Sequence, residues 1–80
     1  MSIPDELRKL ITEGDYTYIA DLFIERHQLL GDYKQISTEY VRLVIQGRRP
    51  ASEGTAAEEI MCIAIKYLTH KRDFRETILI

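Results

Sequence analysis

The stretch VRLVIQGRRPASEGTA, residues 41–56, narrows the possible folds more than any other part of the chain. Its first half has apolar residues at helical spacing. That pattern runs into Gly47, a residue suited to the left-handed turn that ends helices, and Pro50 prevents the helix from resuming. Ser52 or Thr55 can then cap a new helix, and Thr55 followed three residues later by Glu58 has the spacing of a capping box. A helix stop and a helix start thus lie side by side in the sequence.

The same period runs through the rest of the chain. Pro4 suits a first helical turn, and Ile3, Leu7, Leu10 and Ile11 follow at helical spacing, which predicts a helix over about 4–13 with Gly14 as its stop. Asp15 can cap a second helix with Tyr16, Ile19, Ala20, Phe23 and Ile24 inward, running at least to Glu25. Residues 27–36 have no clean period, and Gly31-Asp32 is a turn signal. They are expected to form a connection with an apolar toehold at Leu29 and Leu30, or else a short extra helix. Ser37 or Thr38 caps a third helix, with Tyr40, Val41, Val44 and, at the margin, Ile45 on one side. Thr38, Glu39, Arg42, Leu43 and Gln46 fall on the other.

The fourth helix carries Ala56, Ile60, Ile63, Ala64, Tyr67 and Leu68 inward and is expected to end near His70. Met61 and Ile65 widen its apolar surface beyond what a solvent-facing helix needs. Their expected cover is either the terminal FRETILI, folding back as a strand or short helix, or a second copy of the chain. The fold class that follows is all-α: one domain over 1–80, a small bundle of four to five helices, with 24–36 as an insertion or connection and 72–80 as a C-terminal tail. Gly-Asp-Tyr occurs at 14–16 and 31–33, but two copies do not make a stacked repeat.

Composition bounds the function. The hydrophobic share of 45 % with 30 % charged residues is that of a chain that folds. At 80 residues the core is small, so a partner copy would supply useful burial. No run of about 18 apolar residues and no basic-then-apolar start occurs, so a cytoplasmic protein without a membrane role is expected. The single cysteine, Cys62, sits among apolar residues and is expected to fill core. A net charge of −2 argues against indiscriminate coating of nucleic acid. The distribution says more: residues 1–30 and 51–60 are each net −3, whereas 31–50 and 61–80 are each net +2.

One basic block therefore coincides with the third helix and its end. A helix of about ten residues spans about 15 Å and fits the DNA major groove, provided one face docks on its own domain and the other meets base edges. The third helix has that division. Arg48 and Arg49, just past its end, stand where a phosphate backbone would pass.

YTYIADLF, followed after a gap by ISTEYVRLVIQGRRP, resembles the helix-turn-helix of phage-repressor-like bacterial DNA-binding domains over about residues 14–50. The resemblance implies a bundle of four or five helices, double-stranded DNA as partner and no catalysis. Ile19, Ala20, Phe23, Ile36, Val41 and Val44 match its packing positions; Ser37, Thr38, Glu39, Arg42, Leu43 and Gln46 match its groove-facing ones. Where that pattern has one glycine between the positions of Phe23 and Ile36, residues 24–35 intervene here. The tight turn is absent, and the second helix is expected to extend and the chain to loop back.

The roles follow from side-chain chemistry. Arg42 suits bidentate reading of a guanine, Gln46 suits adenine, and Thr38 a phosphate or a thymine methyl. Leu43 suits a thymine methyl, and Arg48, Arg49 and Lys34 suit phosphates. Two or three base contacts at about 1–3 kcal/mol each reach about 2–9 kcal/mol, against the 4–10 or so that regulators need over non-specific binding. A homodimer reading a palindrome would close that gap.

The rival expectations are plain. The third helix can be an amphipathic core helix with a wet outer face, and Arg48 and Arg49 can simply complement the helix dipole. In that case the chain is a small helical protein-interaction module with no nucleic-acid role, using the fourth helix and TILI. HKRDFR, 70–75, reads as a charged helix end. The five tyrosines are spread as packing residues and do not form a stacking platform. His27 and His70 are isolated, and no cysteine or histidine pair suggests a metal. No glycine-rich loop cradles phosphate. Ser37, His27 and an aspartate make a catalytic triad only on paper, so no enzyme, metal, cofactor or small-molecule substrate is expected.

Overall fold

A computed structural model describes residues 3–51 and 54–79. It has four helices, α1 (Asp5–Arg8), α2 (Glu13–Leu29), α3 (Thr38–Ile45) and α4 (Ala56–Leu79), and no strand among the described residues. The protein is a small all-α bundle, as the periodicity implies.

The start of α2 corrects the expected boundary. Thr12 caps the helix, and its backbone N–H donates to the Asp15 carboxylate at 2.8 Å, so Asp15 sits three positions inside the helix and is not its cap. This capping box draws Glu13 and Gly14 into the first turn. The first helix, expected over about 4–13, shrinks to α1, after which Leu10 and Ile11 close tighter i→i+3 turns onto Leu7 and Arg8. Gly14 is a helical residue and stops nothing.

From Asp15 onward, Tyr16, Ile19, Ala20, Phe23 and His27 recur three and four apart and are all buried. The helix extends through Leu29, so the first part of the segment 24–36 is helical. Gly31, at φ +79°, ends α2 with Asp32 N–H donating to the His27 carbonyl at 2.8 Å. Residues 32–37 then return to α3 without regular structure. Extension and loop-back is thus what the longer connection does.

Thr55 caps α4 as expected, its hydroxyl accepting from Glu58 N–H at 3.2 Å; the alternative cap, Ser52, lies outside the described residues. Beyond His70 the structure differs from the expected tail. Residues 71–79 prolong α4, so the described part of FRETILI, 74–79, neither folds back nor forms a strand, and Ile80 lies outside the described residues. The inward stripe stops at Leu68 because the bundle ends there, whereas the helix continues because no breaker follows. Of the two residues expected to need a cover, Met61 is 3 % exposed within the chain's own core, and Ile65 is partly buried against it; residues 74–79 of the tail cover neither. The core is built on Phe23, Ile19, Ile60, Leu68, Val41 and Val44, where α2, α3 and α4 meet.

Candidate nucleic-acid interface

Helix α3 is fixed at both ends. Ser37 Oγ accepts from Tyr40 N–H at 3.1 Å, closing the start. At the other end Gly47 adopts φ +81°, its N–H donates to Val44 O at 3.1 Å, and Arg48 N–H reaches back to Leu43 O at 2.8 Å. This paired turn needs a left-handed residue at 47, which glycine supplies at no steric cost. Arg49 N–H also donates to Leu43 O, at 3.3 Å. The backbone of both arginines is therefore held to the last turn of α3.

Val41, Val44 and Ile45 are buried against α2 and α4, so one side of α3 is wholly committed to the core. The margin position, Ile45, is as buried as the centre. On the other side Glu39 and Gln46 are exposed, and Ser37 is exposed at the start. Thr38 is half-buried, with its hydroxyl 3.5 Å from that of Thr17 on α2. Leu43, expected in the open, is also half-buried, and its carbonyl accepts from Arg48 and Arg49 N–H.

Arg42 is not a free side chain. Its Nη2 donates to Glu13 Oε2 at 2.6 Å, its Nη1 donates to Glu39 Oε2, and its guanidinium lies 5.2 Å from the centre of the Tyr16 ring. The hydrogen bond and charge of Glu13, with the charge of Glu39, push its pKa above the usual value. Glu13 arrives there because the capping box makes it the first residue of α2. Nothing in the local sequence around Arg42 announces a partner 29 positions away.

Arg48 and Arg49 are exposed and make no ion pair among the described residues. Lys34 lies instead beside the N-terminal end of α3, with Nζ 3.6 Å from Asp32 Oδ2. It helps line an open apolar hollow of about 470 Å³ with Phe23, Ile36, Ser37 and Tyr40. The three residues named from sequence as phosphate contacts thus divide between the two ends of α3, Lys34 at one and Arg48 and Arg49 at the other. A further cation joins the C-terminal group: Arg8 of α1 lines a shallow cleft of about 250 Å³ with Tyr16, Ile45 and Gln46. Its place beside α3 depends on how α1 docks, which no spacing within residues 4–13 encodes.

Two part-buried polar clusters elsewhere tie the helices together. Asp15 accepts from the Tyr67 hydroxyl at 2.6 Å and from Lys71 Nζ at 2.7 Å, and Lys71 also donates to Leu10 O at 2.8 Å. His27, packed on Phe23, has Nδ1 3.2 Å from Asp32 Oδ2 and Nε2 2.7 Å from Glu59 Oε2. His27 thus bridges Asp32 and Glu59, while Ser37 is engaged at the start of α3, and no hydrogen bond joins Ser37 to His27 among the described residues. Among the described residues no cluster of three or more His, Cys, Asp or Glu side chains is arranged to hold a metal. Cys62 is half-buried. Nor is any described helix long and apolar enough to cross a membrane.

Compared with known proteins, the chain matches no family model, no curated protein and no solved structure. The helix-turn-helix resemblance rests on residues 14–50 alone.

Proposed function

We propose that this chain is a sequence-selective, double-stranded-DNA-binding regulator that inserts α3 into the major groove. The observation that carries this reading is the division of α3. Val41, Val44 and Ile45 are sealed into the core, while the opposite side ends in exposed Gln46, Arg48 and Arg49, pinned by the Gly47 turn. Among the described residues the hydrogen bonds on that outer side come from the first turns of α2 and from Glu39 of α3 itself, and none from residues 24–35 or the end of α4.

In this reading Gln46 and Arg42 meet base edges, Thr38, Ser37 and Leu43 line the groove wall, and Arg48 and Arg49 hold phosphates. Arg8 is added to the phosphate contacts and Lys34 belongs to the far end of the helix. Glu39 serves as a partner for Arg42 and not as a groove contact. The protein acts in the cytoplasm, and in this reading its chemistry is recognition without catalysis.

A second copy completes the scheme, since one subunit offers few base contacts. Support for it comes from the end of α4, where Phe74, Ile78 and Leu79 are 59 %, 64 % and 75 % exposed. Sedimentation with and without a palindromic duplex tests this: a stable monomer on DNA at every concentration refutes it. Those same side chains support the rival reading, a protein-interaction module. The decisive measurement is binding to a random-sequence duplex library across a salt series. The regulator requires affinity at low salt that falls with a log–log slope of about −3 for three phosphate contacts per subunit. No affinity at low salt, or a slope near zero, removes it.

A further inference from the structure

Helix α3 carries one basic side chain, Arg42, and both of its terminal nitrogens are already engaged. Glu39 is on the same helix, one turn earlier. Glu13 comes from the first position of α2, whose start is set by Thr12 and Asp15, and Asp15 is anchored to α4 through Tyr67 and Lys71. The Tyr16 ring backs the guanidinium. The backbone at Glu13 is therefore held by contacts within α2 and to α4, which sets its side chain within reach of Arg42 on α3. The carboxylates themselves remain in solvent, with side chains 81 % and 62 % exposed. Two negative charges surround one positive charge in the middle of the proposed groove-facing side.

We infer that Glu13 and Glu39 form a carboxylate gate on Arg42, an internal rival for the duplex that suppresses binding to arbitrary sequence and sharpens selection of a guanine. The inference rests on the reading of α3 as a groove helix. A phosphate approaching Arg42 meets two carboxylates of its own sign and offers the guanidinium little that Glu13 does not already give. A guanine edge differs, because O6 and N7 are neutral acceptors set side by side to match the planar fork of an arginine. Only such an edge replaces both displaced hydrogen bonds without adding negative charge. Where the facing base lacks that pair of acceptors, Arg42 stays with Glu13. Glu13 is thus a positioning residue for selectivity and touches no DNA itself.

A double-mutant cycle tests the gate. Binding of a labelled mixed-sequence duplex at low salt is measured by fluorescence anisotropy for the full chain, for Glu13→Gln, for Arg42→Met and for the two combined. Glu13→Gln is expected to tighten mixed-sequence binding by roughly threefold to tenfold when Arg42 is present, and to leave it nearly unchanged in the Arg42→Met background, where no guanidinium remains to be released.

The same cycle with Glu39→Gln repeats the test without touching the start of α2. Coupling in both cycles supports the gate, as does binding by the Glu13→Gln protein where the natural chain binds nothing, provided that Arg42→Met abolishes it. Equal tightening with and without Arg42 overturns it, because the glutamate then acts only as general negative charge. No tightening in either background overturns it as well. If none of the proteins binds duplex at the lowest salt, the groove-helix reading itself fails; if the natural chain binds and no coupling appears, the gate fails alone.

Discussion

The Tyr67 hydroxyl donates to Asp15 at 2.6 Å across 52 positions of sequence, and this contact joins the first turn of α2 to the middle of α4. Asp15 does two jobs there. It closes the capping box on Thr12, and it receives Lys71, whose ammonium also caps the free carbonyl of Leu10.

Asp15 makes folding stability sensitive to acid. Burial by itself pushes the Asp15 carboxyl up, but the hydrogen bonds from Lys71, Tyr67 and Thr12 outweigh it and hold the group below its ordinary value. A depressed carboxylate contributes stability that is fully present above its unfolded pKa of about 3.9 and is lost as pH falls through the lower folded value. Asp15→Asn is expected to cost about 2 kcal/mol near neutral pH, the scale of a hydrogen bond to a charged group. It should also remove part of the stability loss below about pH 4. Urea melts of both proteins from pH 7 down to about pH 2.5 check this, and parallel curves would refute it.

Tyr67 gives the opposite dependence. Burial, then the hydrogen bond and charge of Asp15, push its hydroxyl up to about 12. Its contribution is complete below the unfolded tyrosine value of about 10 and is lost as pH rises through the folded one. In a spectrophotometric titration of the folded protein a tyrosine step near pH 12 is expected, and Tyr67→Phe should abolish it; a step that survives the substitution would refute the assignment.

His27 holds the far end of α2. Its side chain is 7 % exposed and links Asp32, just past the Gly31 turn, to Glu59 on α4. Replacing it by alanine removes both contacts and the packing on Phe23, at an expected cost of about 2–3 kcal/mol. The adjacent loop should become more accessible, so cleavage by a protease within residues 30–36 should accelerate. Unchanged stability and unchanged cleavage would show that the ring is a bystander.

What the sequence discloses is local. Gly47 as a stop and Ser37 and Thr55 as caps depend on neighbours within one or two turns and stand where spacing puts them, whereas the inward stripes hold only at their centres: Ala56 is exposed with Ala57 buried in its place, and Tyr40, Ile63 and Tyr67 are only partly buried. The start of α2 misleads for a local reason too. Thr12 and Asp15 carry the reciprocal cap, but Gly14 between them is the stronger punctuation to the eye. The end of α4 escapes the periodicity because an apolar stripe records the extent of the core, not of the helix. Arg42 is the least legible of all. A helical wheel can set it on the outer side, but its partners Glu13 and Tyr16 depend on how α2 crosses α3.

Gly47 is a direct test of how the end of α3 is held. Its φ of +81° is strained for any residue with a Cβ, although no heavy atom lies within 4 Å of where that Cβ would stand. Gly47→Ala should therefore cost about 1 kcal/mol from backbone strain alone, with no steric component. Chemical denaturation measures it. A cost below a few tenths of that would mean that the turn to Arg48 relaxes freely.

Arg48 and Arg49 separate positioning from recognition. Both backbones are tied to the Leu43 carbonyl and both side chains extend into solvent, so their substitution leaves the core untouched. If they hold phosphates, Arg48→Ala and Arg49→Ala should each weaken duplex binding by a similar factor for every sequence and each reduce the salt slope by about 1. Gln46→Ala, on the last turn of the same helix, should instead alter preference at one base position and leave the slope unchanged. Arg8→Ala belongs with the first pair, because its cleft beside Gln46 puts it at the same end of α3. Two results would break this scheme: an unchanged salt slope after both Arg48 and Arg49 are replaced, or a sequence preference that follows Arg48 and ignores Gln46. Either would mean that the C-terminal end of α3 does not run along a phosphate backbone, and the arginines would then serve only the helix dipole.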